Sequence, residues 1–166
     1  MTASQPRTEL SRTLDLADRF LEEVQRDLER FVRRGEDTPP RLRSVHERQG
    51  HASPEYRNKA IPLPDEGVES FPEYLSEVIA SFAREKRPDR LLLAVAGEQE
   101  DGPVLIAEAR DGRGTRRFWM QPYRVKQGGV EWPDPLTDGW EDPGEEEMIL
   151  DRAFLTLGTG GNGCEG

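Results

Sequence analysis

Between residues 91 and 125 the chain carries apolar residues at alternating positions on both faces of a sheet. Leu91, Leu93 and Val95 point one way, and Leu92, Ala94 and Ala96 the other. Val104 and Ile106 oppose Leu105, Ala107 and Ala109; Phe118 and Met120 oppose Trp119, Tyr123 and Val125. Side chains alternate faces along a strand, so both sides of this sheet need a covering layer. The pattern predicts strands over 90–98, 103–110 and 115–126, with a short fourth over 130–132. Glu100-Asp101-Gly102, Asp111-Gly112-Arg113-Gly114 and Gln127-Gly128-Gly129 are the turns between them. Such Asp-Gly and Gly-Gly turns signal hairpins, hence an antiparallel four-stranded β-meander. Pro122 predicts an edge or a bulge in the third strand, and the aromatic residues Trp119, Tyr123 and Trp132 are expected in sheet packing.

Two longer helices precede and accompany this sheet. Leu10, Leu14, Ala17, Leu21, Val24, Leu28 and Phe31 recur with alternating spacings of four and three, a heptad seam within a helix over 8–34. Thr8 is the candidate N-cap and Gly35 the stop. Two readings stay open: the helix packs on its own domain, or it forms a coiled coil in which Leu14, Leu21, Val24, Leu28 and Phe31 meet a partner. The second helix begins at Ser70, where Ser70 and Glu73 form a capping box with Pro72 in the first turn, and ends near Arg87-Pro88. Its stripe of Phe71, Leu75, Val78, Ile79 and Phe82 suits one face of the sheet. A short helix over 143–155, capped by Asp142, would turn Met148, Leu150 or Ala153, and Phe154 inward.

The expected fold class is therefore α+β: an N-terminal heptad helix (1–34), a proline-containing irregular arm (35–69), an α+β domain (70–157) and a disordered glycine-rich tail (158–166). At 166 residues the chain has room for a core of ordinary size. The net charge of −10 opposes general binding to a phosphate backbone or an anionic membrane surface. The acidity is uneven: residues 1–59 sum to +1 and residues 60–166 to −11. Twenty of the 23 basic residues are Arg, an excess that suits a high-salt cytoplasm and a GC-rich gene equally. Cys164 is the single cysteine, so no intrachain disulfide forms. With neither an apolar leader nor a run long enough to span a membrane, a cytoplasmic location is expected.

Candidate chemistry is sparse. Pro88-Asp89 heads one strand and Glu108-Ala109-Arg110 ends the next. This arrangement resembles the PD-(D/E)xK nuclease superfamily over about 40 residues, with Arg110 where the family has lysine. The resemblance implies carboxylates at Asp89 and Glu108 holding Mg²⁺, with Arg110 beside them. A second match, Asp134, Asp138, Asp142 and Glu145, looks like part of an EF-hand calcium loop, but Leu136 stands at a ligand position. There is no G-x-S-x-G, no phosphate-binding loop and no redox cysteine pair, so no cofactor is expected. The sequence reads best as a non-catalytic intracellular interaction module, a homodimer, adaptor or chaperone. The alternative is a divergent metal-dependent nuclease.

Overall fold

The computed structural model describes residues 9–47, 55–62 and 70–154. The Thr8 cap and the glycine-rich tail lie outside these residues. The order of elements is α1 (Glu9–Arg33), β1 (Arg41–His46), β2 (Glu55–Ala60), α2 (Phe71–Lys86), β3 (Arg90–Gln99), β4 (Gly102–Asp111), β5 (Arg116–Pro122), β6 (Arg124–Lys126) and β7 (Gly129–Glu131). Five strands form one antiparallel sheet in the order β2-β1-β3-β4-β5, and β6 and β7 form a separate hairpin.

The two-faced apolar pattern is satisfied from within the chain. On one face Ala17, Phe20, Leu21, Val24 and Leu28 of α1 bury Leu92, Ala94, Leu105, Ala107 and Ala109. On the other, Leu75, Ile79 and Ala83 of α2 bury Leu42, Leu91, Leu93 and Val95, joined by Met148, Leu150, Ala153 and Phe154. Leu21, Val24 and Leu28 are thus spent on the chain's own sheet, while Leu14 and Phe31 are half-buried. The buried stripe also takes in Thr13 and Phe20, which the heptad seam omits. A straight helix on a sheet shows a broader face than a coiled-coil seam, and its 3.6-residue turn drifts away from a strict heptad.

α2 forms where its caps dictate. Ser70 has extended backbone and its hydroxyl accepts from the Glu73 N–H at 3.4 Å; at the other end Arg87 adopts the left-handed conformation and donates to the Ala83 carbonyl. Pro88 then prevents continuation. Among its described residues the expected irregular arm supplies two strands, β1 and β2. β1 is anchored by the buried Leu42 and Val45, and Ile61 is buried just after β2. β2 itself has no apolar face, so period two is silent there.

Three further departures have local causes. The expected third strand breaks after Pro122, which offers no N–H to continue a ladder, and its remainder pairs with β7 rather than with the main sheet. The main sheet thus takes three strands, β3 to β5, from the expected meander and two, β1 and β2, from the arm. The expected helix over 143–155 is helical only at 151–154 among the described residues. Gly144 sits at φ 65°, and Asp142 accepts from its N–H in a tight turn, so the helix cannot begin there. No helix among the described residues is long and apolar enough to cross a membrane.

Candidate functional site

The ends of β3 and β4 gather the buried charge. Arg90 is 4% exposed, and each of its guanidinium nitrogens is used. Nε donates to Glu47 at 2.6 Å, Nη2 to Glu9 at 2.6 Å, and Nη1 to Thr13 at 2.6 Å and Asp111 at 3.3 Å. The cross-strand register sets Arg90 opposite Asp111. Asp111 also accepts from the Thr13 hydroxyl and from the Arg113 and Thr115 N–H groups. Burial works against its charge, but hydrogen bonds from Thr115, Arg113 and Thr13 hold its pKa below the ordinary carboxylate value. The network ties α1, the end of β1, β3 and β4 together beside an open cavity of about 480 Å³.

A second cluster holds the C-terminal segment on the α2 face. The buried Glu108 carboxylate accepts from the Leu150 N–H at 2.9 Å and the Ile149 N–H at 3.1 Å. Burial raises its pKa, partly offset by those two amides. Asp151 accepts from Arg110 Nε at 2.9 Å, from Arg116 Nε at 2.9 Å and Nη2 at 2.7 Å, and from the Met148 N–H at 2.8 Å. Arg110 also lies over the Phe154 ring at 5.1 Å.

The nuclease-like trio is therefore not assembled as the resemblance implies. The register sets Glu108 opposite Leu93, and Asp89 lies beside Gly112, whose N–H reaches the Asp89 carbonyl. Four residues of strand separate Gly112 from Glu108, about 13 Å at the usual rise. Asp89 accepts from the Glu47 N–H at 2.6 Å, while Glu108 and Arg110 latch the C-terminal segment. The calcium-like residues Asp134, Asp138, Asp142 and Glu145 are strung along an exposed loop, and Asp142 pairs with Arg117 at 3.4 Å. Among the described residues no group of three or more His, Cys, Asp or Glu side chains is placed to hold a metal.

That loop has a different use: it closes one edge of the sheet. Phe118 and Glu141 exchange backbone hydrogen bonds at 2.9 Å, Leu136 N–H reaches the Met120 carbonyl at 2.9 Å, and Met120 N–H donates to the Thr137 hydroxyl. At the opposite edge β2 pairs, among the described residues, with β1 only. Ile61 N–H bonds to Pro40 O at 2.8 Å, and these two residues are opposite in the β1–β2 register. Hydrogen-bonded pairs alternate in an antiparallel ladder, so Glu55, Arg57 and Lys59 turn their backbone groups toward β1. Tyr56, Asn58 and Ala60 turn theirs outward, with no strand beside them among the described residues. Arg43 lies between the Phe20 and Tyr56 rings, at 5.3 and 5.4 Å, and donates to Asn58 at 2.7 Å and Glu23 at 2.7 Å. Tyr56, at 42%, is one of the large hydrophobic residues left exposed among those described.

Sequence reasoning missed both charge clusters and the open edge. Arg90 was hidden because its partners lie 81, 77, 43 and 21 residues away. No family model, curated protein or solved structure matches this chain.

Proposed function

We propose that this chain is a non-catalytic protein-interaction module of the cytoplasm that binds by strand addition at the outer edge of β2. The observation that carries the reading is the asymmetry of the sheet. The β5 edge is closed by the chain's own loop. The β2 edge directs the N–H and C=O groups of Tyr56, Asn58 and Ala60 outward, in the phase set by the Ile61–Pro40 hydrogen bond. Such a row of backbone groups is a template for a further strand, and strand addition is a common mode of protein recognition. Glu108 and Arg110 hold the C-terminal segment, and Asp89 accepts from the Glu47 N–H. The single cysteine, with no disulfide to form within the chain, fits a reducing compartment.

Proline at an outward-facing edge position removes a donor that the sheet does not use. Asn58→Pro should therefore keep the fold and abolish association, whereas Arg57→Pro removes an inward donor and should destabilise the sheet. The test is capture of partners by the full chain, comparing wild type, Asn58→Pro and a Glu85→Ala control. Association unaffected by Asn58→Pro would overturn the reading. So would Mg²⁺-dependent nucleic-acid cleavage that Glu108→Ala abolishes.

A further inference from the structure

We infer that the strand completing the β2 edge is β2 of a second copy, giving a two-fold dimer with one continuous ten-stranded antiparallel sheet. This rests on the reading of β2 as the docking edge and adds the identity of the occupant. Two copies of an edge strand can run antiparallel only about an axis perpendicular to the sheet. Such an axis keeps the α1 face of one copy level with the α1 face of the other. Residues on one face of β2 must then oppose residues on the same face of its mate. The β1–β2 register puts Tyr56, Asn58 and Ala60 on the α1 face, beside Val45, Arg43 and Arg41, and puts Glu55, Arg57 and Lys59 on the α2 face.

Charge and the length of strand paired then choose among the allowed registers. With Arg57 on the axis, each Glu55 opposes the mate's Lys59 and each Tyr56 opposes the mate's Asn58. The two Arg57 side chains meet at the axis, each with Glu55 and Lys59 of the mate on its two diagonals. Opposite charges directly across a ladder stabilise it and like charges oppose it. Moving the axis to Asn58 would set Arg57 against the mate's Lys59 twice, with no acid opposite either. Moving it to Tyr56 would pair Glu55 with the mate's Arg57 twice but use only Glu55–Arg57 of the strand, leaving Asn58 to Ala60 unpaired. The register centred on Arg57 also satisfies the backbone: Tyr56 and Asn58 carry outward N–H and C=O groups, and each forms a hydrogen-bonded pair with the other in the mate.

The side chains of the α1 face fit as well. An open groove of about 310 Å³ lies between α1 and β2, lined by Leu16, Arg19, Glu23, Arg43, Tyr56 and Asn58. In this register the mate's Tyr56 stands opposite Asn58, at the mouth of that groove. The exposed ring of Tyr56 thereby gains a place against a second copy.

The test is the mass of the full chain in solution, measured by sedimentation velocity from low to high micromolar concentration. Wild type should reach twice the monomer mass. Lys59→Glu should weaken the dimer roughly tenfold, because two favourable pairs become two repulsive ones. Glu55→Lys combined with Lys59→Glu should restore it, since the pairs are then re-formed with reversed sign. Asn58→Pro should be monomeric with a wild-type circular dichroism spectrum. A wild-type chain that stays monomeric throughout overturns the second copy as occupant while leaving partner capture at β2 to be judged by its own variants. A dimer that survives Asn58→Pro, or one that the double charge reversal fails to restore after Lys59→Glu has weakened it, also overturns the inference.

Discussion

The Glu108 carboxylate accepts the Leu150 N–H at 2.9 Å across 42 residues of sequence. One buried strand residue thereby fixes where the C-terminal segment lies. Glu108→Ala would leave the Leu150 and Ile149 amides without this acceptor, at a cost of about 2–4 kcal/mol. Chemical denaturation at neutral pH measures it.

Glu108 also has a pH signature. Its folded pKa is raised above the ordinary 4.5 by burial, so the folded chain holds this proton more tightly than the unfolded chain. Its contribution to stability therefore falls as pH rises from 4.5 through the folded value, and returns as pH is lowered. Asp111 and Asp151 have lowered pKa values and act in the opposite sense. Their contribution is present above the ordinary 3.8 and is lost as pH falls through their folded values. Glu108→Gln should remove the slope above pH 4.5 and leave the loss below 3.8 in place. Melting curves of both proteins across pH 3–8 give the comparison.

Burial ranks the core substitutions. Leu21 and Leu93 are buried on opposite faces of the sheet, and Leu93→Ala should cost about 2–5 kcal/mol. Leu21→Asp should unfold the chain, because its site is filled by the chain's own core rather than by a separable partner. Ile106, Phe118 and Met120 are only half-buried. Ile106→Ala should therefore cost about 1 kcal/mol, near the low end for a large-to-small change. Urea titration of the three variants tests the order.

Legibility followed local physics. α2 could be read because its start is written in four adjacent residues, Ser70 to Glu73. β3 and β4 could be read because their apolar faces are continuous and a tight turn joins them. β2 could not, because a strand at a sheet edge has little apolar surface to bury and its sequence, Glu55–Ala60, is nearly all polar. The fate of the heptad helix was equally hidden: the same leucines suit a coiled coil or a sheet, and only Phe20 and Thr13 mark the broader buried face. The Arg90 network joins residues far apart in sequence, and no spacing rule reaches that far.

The acidic loop gives a salt prediction. Between Asp134 and Glu147 there are seven carboxylates and no Lys or Arg, and Asp142 pairs with Arg117 outside the loop. The loop is held on β5 against this repulsion by the Phe118–Glu141 and Leu136–Met120 hydrogen bonds. Screening shortens from about 10 Å at 0.1 M salt to about 3 Å at 1 M, so NaCl should raise the melting temperature. Micromolar Ca²⁺ should leave it unchanged. A melting temperature that falls with NaCl would contradict the repulsion, and a shift at micromolar Ca²⁺ would establish a calcium site.

Residue-resolved amide exchange along β2 tests edge binding most directly. In the dilute, unassociated chain the Arg57 and Lys59 amides should exchange slowly and the Tyr56, Asn58 and Ala60 amides fast, in strict alternation. On association the Tyr56 and Asn58 amides should become slow as well. Tyr56 and Asn58 amides that are already slow in the dilute chain, or that stay fast once the chain is associated, would contradict binding at this edge.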